Sequence, residues 1–99
     1  MAFKFESLTV WKKGFQLAND IDLLTESFPK KEIFNLSSQI KRAADSIVLN
    51  IAEGSTGQTK PEFKRFLNIS LRSAVEVVAC LMMAKARAYI TEIQYKNFL

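Results

Sequence analysis

The chain has no histidine, so it lacks the side chain that most often serves as a general base or binds a metal ion. Its single cysteine, Cys80, can form no internal disulfide and has no histidine to activate it, which argues against a thiol enzyme and a zinc cluster. A lone cysteine also suits a reducing compartment. We therefore expect a cytoplasmic protein that is not an enzyme and that holds no metal and no cofactor.

Glycine and proline are scarce, at three and two of 99 residues, which argues against a turn-rich β protein and favours long helices. This length suits one domain, which we take to span residues 1–99. The first residues lack the layout of a secretion signal. The most apolar run, residues 74–84, carries Glu76 and is too short to span a bilayer, so no membrane partner is expected.

Apolar residues at helical spacing predict three long amphipathic helices, over about residues 7–27, 34–53 and 60–89. Pro29 ends the first helix. Gly54 follows the second and fits a left-handed cap, while Thr59 and Glu62 form a capping box that begins the third. A fourth helix starts at about residue 92 with a second capping box, and we expect it to be truncated.

The stretch NIAEGSTGQTKPEF, residues 50–63, is similar to a phosphate-binding loop only in composition. Gly54 and Gly57 are three residues apart, and Lys60 follows no glycine, whereas a P-loop has four residues between its first glycine and a Gly-Lys pair. The preceding segment is also helical, where a phosphate loop would follow a strand. The stretch therefore predicts the turn of a helical hairpin rather than a nucleotide site.

The third predicted helix is apolar on more than one face, and one small bundle cannot cover all of them. We predict that copies of the chain bury the second face at an oligomer interface. The alternative is that this helix is simply the central helix of a monomer. The candidate interface residues are Leu71, Val75, Val78, Met82 and Met83.

Basic residues exceed acidic residues by 14 to 10, giving a net charge of +4. Several lie in the first half of the third helix, where the helix dipole disfavours positive charge. An antiparallel hairpin would bring Lys41 and Arg42 near residues 71 and 72. Phosphates of RNA or DNA would neutralise such a cluster; the alternative is a solvated surface balanced by acidic residues. The candidate nucleic-acid-binding residues are Lys12, Lys13, Lys41, Arg42, Lys60, Lys64, Arg65 and Arg72.

Asn50 and Glu53 lie at the end of the second predicted helix. A hairpin that turns near residue 57 would place Glu53 close to Lys60 and Lys64, which favours a structural ion pair. Acid–base chemistry at Glu53 is disfavoured, because no second carboxylate, histidine or metal ligand is nearby. The residues with predicted structural roles are Asn50, Glu53, Gly54, Thr59 and Glu62.

Four segments in order, FESLTVWKKGFQLA, SFPKKEIFNLSSQIKRAADSI, NIAEG and KPEFKRFLNISLRSAVEV, closely resemble the four-helix-bundle proteins encoded in 23S ribosomal RNA intervening sequences. The resemblance implies an all-α, antiparallel up-down-up-down four-helix bundle that assembles as a ring, usually a homopentamer. The family includes the accessory variability determinants of diversity-generating retroelements, basic bundles that bind a reverse transcriptase and its RNA. Most other members have no assigned activity.

Two functions follow as expectations. The first is a non-catalytic oligomeric adaptor that binds RNA, DNA or a reverse transcriptase through its basic surface. The second is a purely structural or protein-interaction module that does not bind nucleic acid. An enzyme would need other chains to supply the missing groups at a shared interface.

Overall fold

The computed structural model describes residues 3–56 and 59–99, and every regular element in these ranges is helical. Four α-helices follow one another: α1 (Thr9–Thr25), α2 (Leu36–Gly54), α3 (Lys60–Ala86) and α4 (Glu92–Phe98). Short 3₁₀ turns, Lys4–Ser7 and Lys30–Glu32, precede α1 and α2. The predicted all-α four-helix bundle is confirmed, and α4 is as short as the sequence predicts.

The buried side chains form one cluster shared by all the long helices. Gly14 lets α1 approach α2 closely, since a Cβ atom there would lie 3.3 Å from Ile47 Cγ2. The first helix ends at Thr25, two residues before the predicted residue 27. The backbone N–H groups of the next three residues then donate to carbonyls three residues earlier, which tightens the chain into a turn. The core side chains are Ile21, Phe28, Leu36, Ile40, Ala43, Ala44, Ile47, Ile51, Val77, Cys80, Leu81, Ala84 and Ile90.

Two serine hydroxyls fix the register of the α2–α3 hairpin. Ser70 Oγ donates to the Ile47 carbonyl at 2.9 Å, and Ser73 Oγ lies 2.9 Å from Ser46 Oγ. Both bonds join helices that run antiparallel. This register sets residue 42, one turn before Ser46, opposite residue 77, so the expectation that Lys41 and Arg42 would lie near residues 71 and 72 is wrong by more than one turn.

Gly54 does not have the left-handed conformation that the sequence predicts. It is the last residue of α2, and its φ angle lies outside the left-handed range. Glycine is needed here for space: a Cβ atom would lie 2.6 Å from Phe66 Cβ and 2.9 Å from Phe63 Cδ1. The predicted turn after it includes Gly57 and Gln58, which lie outside the described residues.

The two predicted capping boxes differ in the structure. At the start of α3, Thr59 Oγ1 accepts from the Glu62 backbone N–H, but the Glu62 carboxylate binds Arg65 at 3.1 Å and does not return to Thr59. At the start of α4, both arms of the box between Thr91 and Gln94 are present. The first box is therefore half formed, and the second is confirmed.

The end of α3 comes earlier than the predicted residue 89. Ala88 has a φ of 62°, and the Tyr89 backbone N–H donates to the Ala84 carbonyl at 2.9 Å. Many helices end in this way, usually with a glycine at the position that Ala88 occupies here. After this turn, α4 docks on α3: Lys85 Nζ lies 2.9 Å from Glu92 Oε2 and 4.4 Å from the centre of the Tyr95 ring.

Candidate interaction surfaces

A line of exposed apolar side chains follows α3. We call the four residues Leu71, Val75, Val78 and Met82 the α3 stripe; their spacing of four, three and four places them on one face. Their side chains are between 38% and 64% exposed. A hollow of about 350 Å³ with a wholly apolar lining, which includes Val75, Val78 and Met82, lies on this stripe. No other element of the described chain covers it.

Met83, the fifth predicted interface residue, is 40% exposed but lies about 100° around the helix from Met82. Another side of α3, with Ser70, Val77 and Leu81, is buried against the bundle. Arg72 and Glu76 are exposed on a third side, which Met83 shares. The helix is therefore apolar mainly on two sides rather than all round, and Met83 lies apart from the other four predicted interface residues.

By length and composition, α3 is the one helix in the described ranges that could cross a membrane. The apolar run of residues 74–84 is too short to indicate this, but α3 contains an 18-residue segment of high mean hydropathy with at most two charged residues. The core helix of a soluble protein can have the same length and composition. In this bundle, α3 buries Val77, Cys80, Leu81 and Ala84 against its neighbours.

Arg65 and Arg72 share one surface of α3, as the sequence predicts. Both line a shallow hollow of about 360 Å³, together with Asn68, Ile69 and Leu71. Arg65 is partly neutralised by Glu62, and its guanidinium lies 4.7 Å from the centre of the Phe66 ring. Arg72 forms no ion pair with any described residue. This surface lies beside the α3 stripe, because Leu71 belongs to both.

The remaining candidate basic residues do not join Arg65 and Arg72 in one cluster. Lys41 is directed to α1, where its Nζ lies 3.9 Å from Asp22 Oδ1. Arg42 follows about 100° around α2, so the two residues point to different sides. The other candidates are exposed on α1 and at the start of α3: Lys12, Lys13, Lys60 and Lys64.

The predicted ion pair of Glu53 with Lys60 or Lys64 is absent among the described residues, and Glu53 is exposed. Asn50 acts within its own helix, where Nδ2 donates to the Ser46 carbonyl at 2.8 Å and to Ser46 Oγ at 3.0 Å. The hairpin is instead held by serine hydroxyls and by the contact of Gly54 with Phe66.

A buried carboxylate that the sequence did not single out joins the start of α2 to the end of α3. Glu32 is 5% exposed. Its Oε1 accepts from the Leu36 backbone N–H at 3.3 Å and from Asn35 Nδ2 at 3.0 Å. Its Oε2 accepts from the Tyr89 hydroxyl at 2.6 Å and from Arg87 at 3.1 Å. We call these residues the Glu32 cluster.

The only sequence signal for the Glu32 cluster is an acidic residue just before α2, where a carboxylate satisfies free backbone N–H groups. Its partners Arg87 and Tyr89 are more than 50 residues away. Both oxygens of Glu32 are occupied by hydrogen bonds within the chain. The cluster is therefore a structural clamp between two helix ends.

The Glu32 cluster makes stability depend on pH. The hydrogen bond from Tyr89, the bonds from Leu36 and Asn35, and the charge of Arg87 lower the pKa of Glu32 below its ordinary 4.5, against the opposing effect of burial. Because the pKa falls on folding, the stabilisation is complete above pH 4.5 and is lost as the pH falls through the lower folded-state value.

We expect Tyr89→Phe to lower the free energy of unfolding at neutral pH. This free energy should also fall less between neutral pH and about pH 3 in the variant than in the unmodified protein, as measured by urea denaturation. Tyr95→Phe, which removes a hydroxyl outside the cluster, is the matched control. Glu92, whose pKa is also lowered, mainly by its hydrogen bond with Lys85, remains in both variants. A pH profile of Tyr89→Phe parallel to that of the unmodified protein would contradict this role.

Comparison with known proteins identifies the family of the chain. No curated protein matches the chain in sequence. The sequence model of the 23S rRNA-intervening sequence protein family matches residues 6–99, which include all four helices. The chain therefore belongs to the 23S rRNA-intervening sequence protein family.

Proposed function

We propose that the protein is a non-catalytic, oligomeric adaptor of the cytoplasm that associates with nucleic acid. The observation that carries the proposal is the position of the α3 stripe beside the basic surface of Arg65 and Arg72. Copies of the chain bury the stripe where neighbouring copies meet, and their arginine surfaces then bind phosphates of RNA or DNA. A reverse transcriptase bound to its RNA is one such partner.

Assembly is supported by the exposure of four large apolar side chains in a row. Exposed apolar surface of this kind marks interaction sites on soluble proteins. Family resemblance favours a ring, usually a homopentamer. A ring needs a heterologous interface, in which the surface of one copy meets a different surface of the next.

A non-catalytic role is supported by the surroundings of the reactive groups. Burial, followed by the charge of Glu76, raises the pKa of the Cys80 thiol, which keeps it protonated and a poor nucleophile. Glu32 is the one buried carboxylate in the described part of the chain, and both of its oxygens are engaged by structural partners.

Nucleic-acid binding is supported by the charge of the α3 surface. Arg72 has no acidic partner among the described residues, and Arg65 is only partly neutralised by Glu62. Seven residues separate the two guanidinium groups along the helix, about 10 Å at 1.5 Å per residue. Each group is free to contact a separate phosphate of one strand.

We expect affinity for a mixed single-stranded RNA pool to fall steeply with salt, since phosphate binding releases counterions. In the Arg65→Ala, Arg72→Ala variant, the slope of log K against log salt should become shallower by about 1.4, which corresponds to two lost phosphate contacts at about 0.7 each. Fluorescence anisotropy at several salt concentrations measures both quantities.

The matched control is Lys4→Ala, Lys96→Ala, which removes the same charge from exposed positions outside α3. This control should keep the slope nearly unchanged. Equal slopes for both double variants would mean that only the net charge matters. RNA affinity that responds neither to salt nor to these substitutions would favour the alternative, a structural or protein-interaction module without nucleic-acid binding.

A further inference from the structure

The turn before α2 displays an aromatic side chain almost wholly to solvent. Phe34 is 98% exposed, and its neighbour Ile33 is 50% exposed. A fully exposed phenylalanine beside a second large apolar side chain forms a protruding apolar point. Aromatic side chains that fill a pocket on a partner supply much of the binding energy of protein interfaces. We call Ile33 and Phe34 the knob.

The knob is held rigidly. Backbone N–H groups of Glu32, Ile33 and Asn35 donate to carbonyls three residues earlier, at 2.9, 3.1 and 2.9 Å. The Glu32 side chain binds the backbone of Leu36 on the other side of the knob and ties the turn to Arg87 and Tyr89. Because the backbone of the turn is already fixed, little backbone conformational entropy would be lost when Phe34 binds a partner, which favours affinity.

The surroundings of the knob are basic. Lys30 and Lys31 are exposed and form no ion pair with any described residue. The adjacent acid, Glu32, is directed inward and bound to Arg87, so it does not neutralise these lysines. A partner for the knob should therefore combine an apolar pocket with a carboxylate at its rim.

The chain itself carries such a pocket between α1 and α2. This hollow of about 260 Å³, which we call the socket, is lined by Phe15, Ala18, Asn19, Asp45, Val48 and Leu49. Phe15 and Leu49 are 50% and 64% exposed, so the apolar lining is open to solvent. An enclosed apolar cavity of about 150 Å³ can bind benzene, so the larger, open socket has room for a phenylalanine ring.

The rim of the socket complements the knob in charge. Asp45 is exposed and forms no ion pair within the described ranges. Knob and socket of one chain cannot meet, because residues 45–49 lie 10–14 residues beyond residue 35 along α2, about 15–20 Å at 1.5 Å per residue. The knob can therefore contact the socket only between two copies of the chain.

We propose that the Phe34 knob of one copy inserts into the Phe15–Leu49 socket of the next, with Lys31 facing Asp45 across the contact. Knob and socket are different surfaces, so the contact is heterologous and continues from copy to copy, as a ring requires. This inference rests on the proposed self-association and adds a second contact to the α3 stripe.

Sedimentation velocity of two single variants tests the contact. We expect Phe34→Ala, which removes the knob, and Leu49→Arg, which blocks the socket, each to weaken self-association by about 30-fold. Leu23→Ala removes an equally exposed leucine, 64% exposed, outside both surfaces and should have no effect. Unchanged association of Phe34→Ala would overturn the proposal.

Mixing the two variants tests the direction of the contact. A Phe34→Ala copy still has a socket and a Leu49→Arg copy still has a knob, so one contact can form between them. Native mass spectrometry should show mixed pairs that are tighter than pairs of either variant alone. A mixture that associates no better than its components excludes the knob–socket arrangement.

Charge reversal tests the pairing of Lys31 with Asp45. Lys31→Glu and Asp45→Lys should each weaken association, and the double variant should recover most of the loss. Binding of phosphatidylserine vesicles that depends on Phe34, with self-association unchanged in Phe34→Ala, would instead identify a lipid-binding tip and overturn the proposal.

Failure of this contact can be distinguished from failure of the proposed assembly. If substitutions in the α3 stripe dissociate the protein while Phe34→Ala does not, the assembly stands and the knob–socket contact is wrong. If the unmodified protein is a monomer at high micromolar concentration, both are wrong.

Discussion

Placing two charges in the α3 stripe should convert the oligomer into single chains. The variant Leu71→Glu, Val75→Lys keeps the net charge and forms a favourable pair four residues apart on the helix, so the bundle should remain folded. Both positions are more than 60% exposed in the single chain, and neither substitution opens a cavity in the core. At an interface, each buried charge would cost several kcal/mol of association free energy.

Light scattering measures the outcome directly. We expect the unmodified protein to have a mass several times the 11.3 kDa of one chain and the variant to have the mass of one chain at the same concentration. The control Gln16→Glu, Asp20→Lys introduces the same pair at exposed positions of α1, raises the net charge by one and should keep the oligomer. An oligomer that persists in the stripe variant, with an unchanged circular dichroism spectrum, would show that copies associate through another surface.

Replacing Gly54 with alanine should destabilise the bundle, although alanine is the better helix former. The substitution gains about 1 kcal/mol of helix propensity. It also places a Cβ atom 2.6 Å from Phe66 Cβ, which is attached to the α3 backbone and cannot rotate away. Overpacking costs about 1–3 kcal/mol and occasionally more. A contact of 2.6 Å lies at the upper end of this range, so after the gain in propensity we expect a net loss of about 2 kcal/mol in the free energy of unfolding.

Gly14→Ala is the matched control, since Gly14 also lies inside a helix. Its added Cβ atom would lie 3.3 Å from Ile47 Cγ2, a contact that a shift of a few tenths of an ångström between the two helices relieves. Thermal denaturation should show a fall of roughly 5–15 °C in the melting temperature of Gly54→Ala and a small change for Gly14→Ala. Equal melting temperatures for Gly54→Ala and the unmodified protein would contradict the close contact of α2 with α3.

Gly54 and Ala88 show what local sequence signals can and cannot predict about helix ends. The sequence predicts that Gly54 ends a helix, and α2 does end there. The reason is different, because the requirement comes from a phenylalanine on α3 and not from a left-handed backbone. Conversely, Ala88 has the left-handed conformation at the end of α3, where no glycine marks it. Helix ends are visible in the sequence, whereas their causes depend on neighbours that are distant in the chain.

Some features of the candidate surfaces also follow from the sequence, and others depend on the tertiary structure. The exposed α3 stripe follows from periodicity, since a helix that buries one face must display the residues on the other. The shared surface of Arg65 and Arg72 follows from their spacing on the helix. Three features do not follow: the separation of Lys41 from Arg42, the lack of an ion pair at Glu53 among the described residues, and the Glu32 cluster. Each depends on the register between helices and on side-chain rotamers.

The sequence by itself determined the number and order of the helices and the apolar faces of α2 and α3, because helical periodicity and capping residues act over a few positions. The family of the chain is also visible in the sequence, through the resemblance of four ordered segments. Only the tertiary structure decided which charges pair, that Glu32 joins the start of α2 to Arg87 and Tyr89, and that Phe34 projects into solvent. These features depend on the distances between segments up to 57 residues apart, which are set when the core packs and not by local preference.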